Sequence, residues 1–196
     1  MADAGIGRLL LSSLHQGIGD VLPVRLEFYE SWLSPEGMRA GRLGLAPLGA
    51  VLSFVHREGP PTSDQIAIRA GACAADWSFS QLSFFARRLI RLLPFGLRAR
   101  AALWLGRQLV WATVRRSKIR TRRNGAGWSV EIRSAIFDQL RDPASIPMRG
   151  FYAAGFQRLL AHCDVDADVD VVTASTGWRL AVTARGPRKM EAVATV

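Results

Sequence analysis

The chain is predicted to be an α+β protein, with N-terminal helices packed against a C-terminal four-stranded antiparallel sheet and its covering helix. Two observations carry this. Up to Arg116 apolar residues recur at the three-to-four spacing of a helix face, whereas from Lys118 they alternate with polar ones as in a strand. The alternating runs come in two pairs, each broken by a glycine turn, Asn124-Gly125 in the first and Ser175-Thr176-Gly177 in the second. Between the pairs, residues 149–162 return to a helical period. With 196 residues, 49% of them hydrophobic, the chain can bury a substantial core.

Taken in order, Leu10, Leu14, Ile18, Val21 and Leu22 define a first helix that Pro23 breaks or restarts. A second spans 24–33, where Leu26, Phe28, Tyr29, Trp32 and Leu33 form a core or dimer face and Arg25, Glu27 and Glu30 stay solvated. Ser34-Pro35-Glu36-Gly37 ends it as a turn, and the glycine-rich stretch 39–48 reads as a loop into a helix over 48–56. Past Gly59-Pro60-Pro61 a helix reaches about residue 77, with Thr62 or Ser63 as N-cap. Its Ala67, Ala70, Gly71, Ala74 and Ala75 permit close helix packing, and Cys73 among them reads as a small apolar filler.

A helix over 80–93 stops at Pro94, and a longer one covers 96–116. On the longer helix Leu97, Ala101, Trp104, Gln108, Trp111 and Ala112 share one face, expected to be the core side, with Arg98, Arg100 and Arg107 toward solvent. The strands 118–123 and 128–134 form the first hairpin. In the second, Val169, Val171 and Thr173 share one face of strand 168–174, and Trp178, Leu180 and Val182 align on strand 178–184. The helix between the hairpins presents Phe151, Tyr152, Phe156, Leu159 and Leu160 to the sheet. The expected organisation is a helical region 1–95, an α+β unit 96–185 and a tail 186–196, dimerising through helical faces.

The formal charge is +10 and almost all the basic residues are arginine. From residue 77 to 130 there is no acidic residue and twelve basic ones, from Arg87 to Arg123. That balance favours an acidic protein or an anionic membrane surface as partner, although codon bias alone also yields arginine-rich chains. Nucleic acid is disfavoured, because no helix-turn-helix, zinc-finger or RNA-binding signature accompanies the charge, and the arginines are expected to be spread over several faces.

Cys73 and Cys163 match no zinc or redox spacing, so a reduced, cytoplasmic protein is expected. Residues 5–14 are too short and too soon followed by His15, Gln16 and Asp20 to form a secretory leader, and no apolar run is long enough to span a bilayer. His15, His56 and His162 are scattered and form no metal-ligand pair. Asp164, Asp166, Asp168 and Asp170 lack the glycine and final glutamate of a calcium loop; Asp164 and Asp166 are assigned to a solvated turn. Gly5-Ile6-Gly7 lacks the strand and third glycine of a dinucleotide fingerprint. No catalytic constellation and no metal site is assigned, and no cofactor is named.

The sequence of long helix, hairpin, Ile136-Phe137-Asp138-Gln139, proline-containing loop, Gly150-Phe151-Tyr152-Ala153-Ala154-Gly155-Phe156 helix, then strand, glycine turn and strand resembles the 4-vinyl reductase domain family. That family is related to the Bet-type subunits of the TRAPP tethering complex and to hydrocarbon- or haem-linked sensor domains. The resemblance spans about 96–185. Family members often carry one cysteine before the glycine-containing helix and two around the last glycine turn; Met148, Thr173 and Ala181 stand at those places. The resemblance therefore implies no metal or thiol chemistry here, but an apolar pocket between helices and sheet for a hydrocarbon, acyl chain or tetrapyrrole. Phe151, Phe156 and Trp178 would line it, Tyr152 would offer a hydroxyl anchor and Arg149 a partner for a carboxylate; alternatively these aromatics fill the core. The function implied is a non-enzymatic binding or regulatory protein for a hydrophobic small molecule. The alternatives are an accessory factor or enzyme subunit of tetrapyrrole (bacteriochlorophyll-type) metabolism, and an adaptor subunit.

Overall fold

A computed structural model describes residues 5–33, 45–115, 117–125, 127–133, 146–174 and 177–187. In order these form α1 (Arg8–Val21), a 3-10 turn (Pro23–Arg25), α2 (Leu26–Leu33), α3 (Leu45–Arg57), α4 (Pro60–Ser80), α5 (Phe84–Leu92) and α6 (Phe95–Thr113), then β1 (Lys118–Asn124), β2 (Gly127–Arg133), α7 (Ile146–His162), β3 (Val165–Ala174) and β4 (Gly177–Pro187). The α+β class is as predicted. The turn at 34–37, the loop at 39–44, Ile136-Phe137-Asp138-Gln139, the Ser175-Thr176 turn and the tail beyond 187 lie outside the described residues.

The chain is organised around α7. One contiguous hydrophobic core joins it to α1, α4, α6 and the inner sheet face. Its buried residues Met148, Phe151, Tyr152, Gly155, Phe156, Leu159 and Leu160 recur at three-to-four spacing, so α7 is covered along its length. Two glycines set how closely its neighbours approach. A Cβ on Gly71 of α4 would lie 2.1 Å from the Phe151 carbonyl oxygen, and one on Gly106 of α6 would lie 2.3 Å from the Phe156 ring. The small-residue run in α4 thus does what its composition predicts.

That second contact overturns the predicted orientation of α6. Its buried face is Ala99, Ala102, Leu103, Leu105, Gly106, Leu109, Val110 and Thr113. Trp104 and Trp111 do point the same way, but toward solvent, at 53% and 38% exposure. Only the small-residue stripe can seat the Phe156 ring, whereas an indole at that interface would push the helices apart.

Several boundaries move for local reasons. α3 starts at Leu45 rather than 48. α4 begins at Pro60, with Gly59 as N-cap in place of Thr62 or Ser63, because proline at the first helical position gives up an N–H that needs no partner. The helix expected over 80–93 starts instead at Phe84, where the Ala86 N–H donates to the Ser83 Oγ at 3.2 Å. α6 ends at Thr113 rather than 116 because the N-terminal segment takes over its backbone bonds. The Gly7 N–H donates to the Thr113 carbonyl and the Arg115 N–H to the Gly5 carbonyl, both at 2.8 Å, around an Ile6–Val114 bridge.

The four-stranded sheet has the order β1-β2-β4-β3. The hairpins pair internally and join through antiparallel β2–β4, so Trp128 and Val130 oppose Val182 and Leu180. In the second hairpin Val169, Val171 and Thr173 oppose Val182, Leu180 and Trp178, so the two predicted faces meet, and Gly177 pairs with Ala174 as the first residue of β4. β3 is longer than predicted: it starts at Val165, the reversal is made by Asp164 at φ 53°, and Asp166 is an exposed strand residue rather than part of the turn. Partners of Asp166 and Ala167 skip from Gly186 to Ala184, a bulge that accommodates Arg185. β1 is an edge strand whose residues are exposed apart from half-buried Ile119, and its arginines are charges of the kind that disfavour edge-to-edge pairing. Among the described residues no helix is long and apolar enough to cross a membrane.

Candidate binding groove

Turning Trp104 outward creates a site. One face of α6, from Phe95 and Leu97 through Arg100 and Trp104 to Arg107, follows the three-to-four spacing of a helix and forms one wall of an open groove of about 590 Å³. The first hairpin forms the other wall. Arg123 and Trp128 are directly paired across β1 and β2, and Thr121 lies two residues along the same face. Leu103, 5% exposed, is the floor where the groove meets the core.

Three guanidinium groups, on Arg100, Arg107 and Arg123, therefore border a surface of indole, phenyl and leucine side chains, and none of the lining residues is acidic. The Arg107 guanidinium stacks over the Trp111 ring at 4.8 Å, and the Trp111 Nε1–H donates to the Ser117 carbonyl at 3.0 Å. That chain of contacts holds Arg107 against the helix without neutralising it. The geometry suits a molecule with an apolar body and an anionic end: indoles and leucine cover the body, while arginine forks take a carboxylate or phosphate bidentately.

A second groove, about 630 Å³, lies between α4, α7 and β3. Its lining is mainly small and apolar, including Ala72, Gly150, Ala153, Ala154 and Ala161. Its one cation, Arg158, is already committed, donating from Nε to Asp76 Oδ1 at 2.7 Å. His162 contacts the same carboxylate oxygen through Nε2 at 2.5 Å and stacks flat on Phe79 at 4.5 Å. Burial raises the Asp76 carboxyl, but the hydrogen bonds from Arg158 and His162 outweigh it and hold the group below its usual range.

The residues singled out from the sequence are placed as follows. Phe151, Tyr152 and Phe156 are fully buried in the core, Trp178 is 8% exposed and stacks on Tyr152 at 6.2 Å, and Arg149 is half-buried. None of the five lines either groove, although Gly150 of the same helix turn borders the second. Thr113 Oγ1 donates to the Val110 carbonyl at 2.9 Å, which leaves it to accept the Tyr152 hydroxyl at 2.8 Å. Burial raises the Tyr152 hydroxyl above its ordinary value. Met148 is buried, Thr173 is exposed on edge strand β3 and Ala181 is half-buried on β4.

His15 contacts Glu30 at 2.8 Å, and the Arg25 guanidinium and the Tyr29 hydroxyl both donate to Glu58. Cys163 is pushed up to about 12 by burial and by Asp164, and burial raises half-buried Cys73. Both thiols are free, and the upward shifts favour their protonated form. Among the described residues no group of three or more His, Cys, Asp or Glu is placed to hold a metal ion.

The residues that sequence reasoning missed are Trp104, Arg100, Arg107, Arg123 and Trp128. The available signal was the stripe Ala99, Ala102, Gly106, Leu109 and Thr113: had it been taken as the core face, both tryptophans would have fallen among the arginines. In comparisons with known proteins, no family model, no curated protein and no solved structure matches the chain.

Proposed function

We propose that the chain is a non-enzymatic binding protein that holds an amphipathic molecule, an apolar body with a carboxylate or phosphate end, in the groove between α6 and the first hairpin. One observation carries this reading: Arg100, Arg107 and Arg123 meet Trp104 and Trp128 around a groove of about 590 Å³ in which no carboxylate competes for them. That volume lies within the range of small-molecule sites, roughly 300–1,000 Å³. Acyl chains and tetrapyrroles bearing propionates both belong to the class, so the ligand expected from the sequence is retained while its site moves from the α7 interior to the outer face of α6. The two free thiols fit a reducing cytoplasm.

Tryptophan fluorescence titrations test the reading with oleate below its micellar concentration, oleyl alcohol as its neutral counterpart, and protoporphyrin. Oleate should bind about tenfold more tightly than the alcohol, and Arg100→Ala combined with Arg123→Ala should erase that preference. Equal affinity for acid and alcohol, or an unchanged preference in the double variant, rejects the assignment.

A further inference from the structure

We infer that α5 and the start of α6 form a docking face for an anionic lipid bilayer, and that the groove takes its amphipathic ligand from that surface. The uptake step rests on the reading of the groove above; the docking does not.

The observation is a folded helix with its apolar side turned outward. α5 has no buried residue, and Phe84, Phe85, Leu89 and Leu92 are 63%, 81%, 62% and 75% exposed. Phe85, Leu89 and Leu92 fall on one face at helical spacing, with Arg88 and Arg91 beside them, while Ile90 packs against the core from the far side. α5 is bounded by the Ser83 cap at its start and by Pro94, the N-cap of α6, after its end. Exposed leucines and phenylalanines grouped on one cationic helix have the composition of a helix that lies in the plane of a membrane interface.

Charge selects the occupant. Between residues 77 and 130 the chain has no acidic side chain, and the ion pair of α5 among the described residues is Arg91 with Asp164 at 3.9 Å. Two copies of the face brought together would set arginines against arginines. An anionic bilayer satisfies both halves: Phe85, Leu89 and Leu92 enter the acyl region, and the arginine heads reach lipid phosphates. The face also runs into the groove, because the residues that follow α5, Pro94, Phe95 and Leu97, form the groove's mouth. Leu97 at 45% and Trp104 at 53% exposure continue the apolar surface across it.

Flotation of the whole chain with vesicles tests this. It should bind phosphatidylcholine vesicles containing a minority of phosphatidylglycerol, not pure phosphatidylcholine, and raised salt should weaken the binding. Phe85→Ser with Leu89→Ser and Leu92→Ser should lower it about tenfold with an unchanged thermal melt, since the three side chains are exposed. The same variant should still bind oleate in free solution, while Arg100→Ala with Arg123→Ala should lose oleate preference and keep most vesicle binding; the two readings therefore fail separately. Absence of wild-type binding to the anionic vesicles, or undiminished binding of the triple variant, overturns the docking face. A dimer that the triple variant dissolves, with no vesicle binding, overturns it in favour of a second copy of the chain.

Discussion

The two grooves differ little in size, about 590 and 630 Å³, but they do differ in what their cations are doing and in what surrounds them. In the groove beside α6, Arg100, Arg107 and Arg123 have no acidic neighbour in the lining, and one is held by a tryptophan face. In the groove beside α7, Arg158 is neutralised by Asp76, a second carboxylate, Asp166, stands in the lining, and apart from Gln157 the rest is small or aliphatic. A concavity becomes a candidate site through uncommitted charge beside apolar surface, not through volume. The second groove reads instead as the outer seam of the close α4–α7 contact at Gly71.

That contrast is broken most sharply at glycine. Gly71, behind the second groove, has the Phe151 carbonyl oxygen 2.1 Å from where a Cβ would stand, whereas Gly96, in the first, has nothing within 4 Å. Gly71→Ala must separate α4 from α7 and should cost about 3 kcal/mol or more in chemical denaturation. Gly96→Ala, on an open helix start, should be neutral or gain up to about 1 kcal/mol. If the two alanines cost the same, the seam and the site are not built differently.

A smaller effect separates the interior from the site. Tyr152→Phe removes the hydroxyl that Thr113 accepts but keeps the ring between Phe151 and Trp178. Denaturation should show a loss of about 1 kcal/mol, with oleate binding unchanged. Weakened oleate binding in this variant would mean that the ligand reaches the core and that Tyr152 is an anchor after all.

Much of the fold was legible because each hairpin carries its own turn and its own alternation. Asn124-Gly125 and the alternation of Trp178, Leu180 and Val182 need no knowledge of the rest of the chain, and the α7 stripe is unambiguous. The orientation of α6 was not legible, because both its faces are apolar. Aromatic bulk favours the side with Trp104 and Trp111, whereas the actual choice depends on Gly106 accepting the Phe156 ring from a helix 50 residues later. The groove was hidden for the same reason. Arg123 joins Arg100 and Arg107 only after β1 has paired with β2 and the hairpin has docked against α6, a tertiary event that no local spacing records.

The smallest expected effect tests whether the second groove is silent because Asp76 silences it. Asp76→Asn weakens the hold on Arg158 and His162 and should cost about 0.5 kcal/mol at neutral pH, the scale of a partly exposed ion pair. The sign of its pH dependence follows from the depressed carboxyl. The Asp76 contribution is complete above the unfolded value of 3.8 and is lost as pH falls through the lower folded one, so wild-type and variant stabilities should converge at acid pH. Released from Asp76, Arg158 would give the second groove an unneutralised cation, with Asp166 as the carboxylate left in its lining. The variant should therefore gain weak oleate binding that survives Arg100→Ala and Arg123→Ala, and its absence would show that apolar surface of small residues is too shallow to serve even beside a free cation.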